Sequence, residues 1–159
     1  MRKDDPRVAA YGDVDELNAA LGVVLAHSDD KALGGLLLRI QRDLFALGAQ
    51  LADPRATIGK KRAKAAFPAA KVRQLEKEID SRQAKMEPLR AFILPGGSPL
   101  GSFLHLARAV CRRAERGIVS LGREAVAPVV VVYVNRLSDL LFVLARAANR
   151  QAGVAETEW

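Results

Sequence analysis

The chain holds one cysteine, two histidines and few aromatic residues, and each scarcity closes a class of function. A lone Cys111 forms no disulfide within the chain, so no disulfide framework organises the fold, and a reducing compartment suits it. His27 and His105 lie far apart in sequence and offer no zinc spacing with one cysteine; the Glu-x-x-His pairs of a di-iron bundle are also missing. No metal site made of protein side chains is expected. Phe, Tyr and Trp together make up 5% of the residues and nowhere interleave with basic ones as a base-stacking platform would, which argues against nucleic acid as a partner. No apolar run approaches the roughly 18 residues that cross a bilayer. The opening Met1-Arg2-Lys3-Asp4-Asp5 lacks the apolar region of a signal peptide, and a cytoplasmic protein with no membrane partner is expected.

What is present is apolar and basic. Half of the 159 residues are hydrophobic, enough for one domain, taken as 1–159, with a substantial core. Twenty-five Lys and Arg against eighteen Asp and Glu leave a formal charge of +7, which favours anionic partners such as nucleotides. Charge alone also admits a basic helical nucleic-acid binder, a reading with nothing else to support it.

Periodicity predicts five helices. Asp5-Pro6 is a cap followed by proline at the first helical position, and Val14, Leu17, Leu21, Val24 and Leu25 continue at helical spacing over 6–27. The other side of this helix carries Asp13, Asp15, Glu16 and Asn18, which reads equally as a solvated face. Leu33, Leu36, Leu37, Ile40, Leu44, Leu47 and Leu51 mark a second helix over 31–52. A polar, basic loop is expected from Asp53 to Pro68, and a third helix, opened by Pro68 and carrying Val72, Leu75 and Ile79, ends before Pro88. The fourth spans 99–122. For the fifth, over 127–151, the β-branched run Val129 to Val132 favours a strand on propensity, but Val130, Val134, Leu137, Leu141 and Leu144 keep helical spacing and no second strand exists to pair with. The tail Ala155 to Trp159 is expected to be loosely ordered.

Two stretches depart from generic helix. At about 100° per residue, His105, Arg108, Arg112 and Glu115 share one arc of the fourth helix, and Leu104, Ala107, Cys111, Ala114 and Ile118 line its neighbour. Arginines four apart repel unless something anionic faces them, so this stripe asks for a carboxylate or a polyphosphate. On the fifth helix Asn135, Arg136 and Asp139 interrupt an apolar pattern; such a patch is either a site or a satisfied core network. Pro95-Gly96-Gly97-Ser98-Pro99 makes a shaped connection ahead of the fourth helix, without a phosphate-loop signature.

Five segments in order, Lys3 to Arg7, Tyr11 to Asn18, Phe92 to Gly97, Arg108 to Arg116 and Asn135 to Asp139, resemble those of the PduO-type ATP:cob(I)alamin adenosyltransferases. The resemblance implies an all-α five-helix bundle with ferritin-like up-down packing. It also implies a homotrimer with active sites at the subunit interfaces, binding ATP, cobalamin and Mg2+. The implied reaction transfers the 5′-deoxyadenosyl group of ATP to cobalt, giving adenosylcobalamin and triphosphate.

Residue by residue, Lys3, Arg112, Arg113, Glu115, Arg116 and Asn135 resemble the family's ATP-binding set. Asp15 and Arg108 resemble its salt bridge across the interface. Phe92, which on pattern alone reads as an ordinary core residue, resembles the aromatic that crowds the lower face of the corrin and displaces its axial ligand. Phe92, Arg112, Arg108 and Asp15 are thus the implied catalytic residues. Only Met1 and Arg2 stand ahead of Lys3, where the family carries a Thr-Gly-Asp-x-Gly-x-Thr type segment that holds the triphosphate. Its absence from the chain would leave an alternative: a corrinoid-binding or delivery protein with weak or no catalysis.

Overall fold

The computed structural model describes residues 2–53 and 67–159, so the expected loop between Asp53 and Pro68 lies, from 54 to 66, outside the described residues. The described residues form five helices: α1 Pro6–Ala26, α2 Lys31–Ala52, α3 Ala70–Gln83, α4 Pro99–Ser120 and α5 Pro128–Gln151. Their starts follow from local chemistry. Asp5 accepts from Arg7 N at 2.8 Å ahead of Pro6, Asp30 accepts from Ala32 N and Leu33 N, and Ser98 accepts from Gly101 N at 3.0 Å ahead of Pro99. Pro68 does not open α3, which begins at Ala70. In α5 the valines that favour a strand are helical because their periodic partners, Val130, Tyr133, Val134 and Leu137, are the bundle core. Burial outweighs a propensity difference of at most about 1 kcal/mol per residue.

The helices pack in the spatial series α2, α1, α4, α5, α3. A polar tie closes the series: buried Asp43 of α2 accepts from Tyr133 of α5 at 3.0 Å and pairs with Lys71 of α3, while Arg39 and Glu78 pair at 3.4 Å. Phe67 meets the Tyr133 ring edge-on at 4.8 Å, with Lys71 over its own ring at 5.8 Å. At the bundle's end Arg7 donates to the carbonyls of Leu51 and Ala125, holding the start of α1 against its neighbours.

Two expectations are corrected. By length and composition α5 does reach what a membrane-spanning helix requires, but its apolar side chains form the interior of the bundle. The tail is not loose. Ile93 and Glu158 form an antiparallel bridge, with Leu94 N donating to Thr157 O at 2.8 Å and Trp159 N to Phe92 O at 2.9 Å. Glu156 pairs with Arg146 of α5 at 2.7 Å. Short and polar as it is, the tail supplies the donors and acceptors that the 92–94 segment would otherwise leave to water.

Candidate active site

The seam between α4 and α5 carries two adjoining clefts. The larger, of about 1000 Å³, is bordered by Phe92, Trp159, Phe142, Arg108 and Arg112 among others; the smaller, of about 460 Å³, by Arg112, Glu115, Arg116, Asn135 and Ser120. Arg112, Ser138 and Asp139 line both. One cleft therefore offers aromatic surface and the other hydrogen-bonding and charged groups, with an arginine at the join.

The polar cleft is built from helical spacing. Arg112, Glu115 and Arg116 follow each other on one side of α4, and Asn135 and Asp139 stand a turn apart on the facing side of α5. Asn135 Nδ2 donates to Glu115 Oε1 at 2.9 Å, and Arg136 Nη2 donates to Asn135 Oδ1 at 2.6 Å while pairing with Asp139 at 3.0 Å. This network fixes the amide and turns Glu115 toward α5. Arg112 and Arg116 are exposed and have no carboxylate partner among the described residues. Among the described residues, the anionic partner that their spacing asks for is absent.

In the larger cleft Arg108 is partly buried, its guanidinium 5.6 Å from the Phe142 ring centre and its Nε without a hydrogen-bond partner. Burial first, then the charge of Arg112, lowers its pKa from the usual arginine value. His105, placed by helical angle on the charged stripe, is in fact buried, edge-on to Phe142 at 5.9 Å with both ring nitrogens unpartnered. Its pKa is lowered by burial and then by Arg108, with Glu156 opposing. Cys111 is core, as its place on the apolar stripe implied, and donates weakly to Val134 O. Phe92 is 83% exposed, so it is no ordinary core residue.

The remaining candidates lie elsewhere on the subunit. Arg113, one residue from Arg112, points to α1 and pairs with Asp13 and Glu16; the hydrogen bond it donates to Glu16 raises its pKa. The acidic cluster on α1 thus has two members committed within the chain. Asn18 Nδ2 donates to the main-chain carbonyl of Gln41 on α2, and the Gln41 side chain donates to the main-chain carbonyl of Asn18 in return. Asp15 is exposed and lines a separate cleft of about 290 Å³ between α1 and α2, beside Phe45. Lys3 is exposed and lines none of these clefts. Phe142 and Trp159 are not singled out as site residues by the sequence, whereas Arg136 belongs to the polar patch that it marks. Phe142 had a signal, since it follows Asp139 by three on the same helical side; Trp159 had none, because the tail pairing that brings it in is not periodic.

Comparison with known proteins identifies the family and the fold. Residues 1–148 match the family model described as cobalamin adenosyltransferase. The chain is 44% identical over 159 residues to a cobalamin adenosyltransferase of Cupriavidus metallidurans, covering 99% of this chain and 82% of that one. It is 43% identical over 159 residues to a corrinoid adenosyltransferase of Mycobacterium tuberculosis, covering 97% and 81%. Among solved structures, a variant PduO-type ATP:corrinoid adenosyltransferase from Lactobacillus reuteri, complexed with cobalamin and ATP, superposes with a TM-score of 0.91 at 38% identity, covering 100% of this chain and 88% of that one. With a family match over nearly its whole length and relatives at this identity, the chain belongs to the cobalamin adenosyltransferase family.

Proposed function

We propose that the protein is an ATP:corrinoid adenosyltransferase, transferring the 5′-deoxyadenosyl group of ATP to the cobalt of cob(I)alamin. The observation that carries this reading is the pair of clefts joined at Arg112: the polar one suits a nucleoside polyphosphate and the aromatic one a large planar macrocycle. In the reaction the cobalt(I) electron pair attacks C5′, the cobalt–carbon bond forms as C5′–O5′ breaks, and triphosphate leaves with the bonding electrons. Cob(I)alamin is a strong nucleophile, so the protein's work is to align C5′ with cobalt and to stabilise charge on the leaving group.

Arg112 and Arg116 face the phosphates, and Asn135, oriented by Glu115 and Arg136, binds the nucleoside. Arg113, Glu115 and Lys3 complete the ATP set: Glu115 through Asn135, Arg113 by holding α4 to α1, and Lys3 from the start of the chain. Phe92 packs against the lower face of the corrin and favours four-coordinate Co(II), which is easier to reduce. The described residues contain no group of three or more His, Cys, Asp or Glu placed to hold a metal. A magnesium ion here would be carried by the triphosphate oxygens and water, as Mg2+ commonly is.

The working unit is a homotrimer in the cytoplasm, with Asp15 of one subunit paired to Arg108 of the next. Neither residue has an ion-pair partner within the chain among the described residues, and Phe45, beside Asp15, is 76% exposed. The test is to mix the protein with chemically reduced cobalamin, ATP and Mg2+ and to follow the absorption change to adenosylcobalamin together with triphosphate release. Both are expected. Corrinoid binding with neither would overturn the enzymatic reading in favour of a delivery protein.

A further inference from the structure

The turn that follows Phe92 is held by one residue of α5. Asn149 is 2% exposed, and its side chain spans the turn that follows Phe92. Oδ1 accepts from Ser98 N and Ser98 Oγ, each at 2.8 Å, and Nδ2 donates to Gly96 O at 2.8 Å. The fit leaves no room. A Cβ on Gly97, whose φ is +118°, would lie 2.4 Å from Asn149 Nδ2, and one on Gly101 would lie 2.0 Å from its Oδ1. The main-chain carbonyl of the same Asn149 accepts from Val154 N at 2.9 Å, which starts the tail on its path. One helical turn earlier Arg146 takes Glu156 at 2.7 Å and donates to Glu87 O at 3.0 Å. The tail then runs back antiparallel to residues 92–94.

The register decides what this pairing presents. Ile93 stands opposite Glu158, so Phe92 stands opposite Trp159 on the other face of the two-stranded ribbon. Both aromatic side chains border the larger cleft, at 83% and 88% exposure. Holding two large apolar side chains in water is unfavourable, and the hydrogen bonds that impose it are buried at Asn149. A core turn and a polar tail are thus spent on exposing a pair of aromatics.

We propose that Asn149 and the paired tail form a clamp that sets the position of Phe92, and of Trp159 beside it, against the corrinoid, which makes Asn149 a positioning residue for the reaction. The inference rests on the assignment of the larger cleft to the corrinoid. Asn149 touches no substrate; it acts through the 92–98 segment.

Steady-state kinetics and electron paramagnetic resonance of bound cob(II)alamin in the presence of ATP test it, on the full chain. In Asn149→Ala and in Trp159→Pro, which removes the N–H that Phe92 O accepts, the KM for the corrinoid rises about tenfold, the size of one lost hydrogen bond. The four-coordinate Co(II) signal falls in both, and the KM for ATP stays within about twofold. Trp159→Pro alters an exposed residue outside the core and guards against an Asn149 variant that fails to fold, while Trp159→Ala, which keeps the N–H and loses only the indole, shows a smaller rise in the corrinoid KM. Folded variants with an unchanged corrinoid KM and Co(II) signal would overturn the clamp, as would a parallel rise in both KM values. Failure of the unaltered protein to bind corrinoid would instead remove the functional assignment on which the clamp depends.

Discussion

Glu115 and Asn135, twenty residues apart, are joined by a hydrogen bond of 2.9 Å that links α4 to α5 at the floor of the polar cleft. Arg136 occupies the oxygen of the same amide. With one lone pair of Oδ1 taken by Arg136 and one N–H given to Glu115, Asn135 keeps one N–H and one lone pair for a ligand. Replacing it with alanine is expected to raise the KM for ATP about tenfold, as one hydrogen bond is worth, and to leave the corrinoid KM nearly unchanged. Asn135→Asp should be worse, since a carboxylate would face Glu115 with no donor. Initial rates at saturating corrinoid measure both.

Arg112 borders both clefts, so under the proposed assignment of ATP and corrinoid its charge would lie near the breaking C5′–O5′ bond. Arg112→Ala should lower kcat/KM for ATP by about 10²–10³, the usual loss when a group facing developing charge is removed. Lysine should recover part of it, keeping the charge but not the planar fork. Weaker product inhibition by triphosphate in the alanine variant is the companion measurement.

If Asp15 and Arg108 pair between subunits, Asp15→Asn and Arg108→Ala should each weaken assembly and activity together, and reversing both charges should restore part of each. Sedimentation velocity alongside the adenosylation assay reads this out. Single variants that keep full activity and unchanged sedimentation would contradict the pairing.

The tie among Asp43, Tyr133 and Lys71 predicts a stability effect remote from either cleft. Burial first, and Asp43 next, push the Tyr133 hydroxyl's pKa far above its usual value, so it remains a donor. Tyr133→Phe removes that donor from buried Asp43 and should cost about 1–3 kcal/mol in urea unfolding. KM for both substrates should be unaffected in the fraction that stays folded.

His105 predicts the sign of a pH effect. Its folded pKa lies below the usual 6.5, through burial first and Arg108 second. Below that value the unfolded chain binds a proton that the folded chain resists, so stability is retained above about pH 6.5 and falls with increasing acidity. Unfolding free energies measured from pH 7.5 to 5 should decline less in His105→Gln than in the unaltered protein.

The helices were legible because their causes are local. Asp5-Pro6 and Ser98-Pro99 cap and start elements with atoms a few residues apart, and the apolar spacing of α1, α2 and α4 marks the side that packs. The same spacing put Arg108, Arg112 and Glu115 on one side of α4 and Asn135 with Asp139 on one side of α5, and Arg116 came from the family resemblance. His105 shows the limit. Its angle lies within the arc of Arg108 and Arg112, yet Phe142 and the surrounding helices bury it, because where an interface ends along a helix depends on the neighbour as well as on the angle.

A linear pattern was therefore enough for the five-helix class, the capped starts and the two polar stripes, since each depends on residues within a turn or two of one another. The joining of those stripes into adjacent clefts, the commitment of Arg113 to Asp13 and Glu16, and the docking of the tail on Phe92 arise from contacts between residues far apart in the chain. Such contacts leave no period in the sequence. They exist only once the helices have packed and left particular donors and acceptors facing each other.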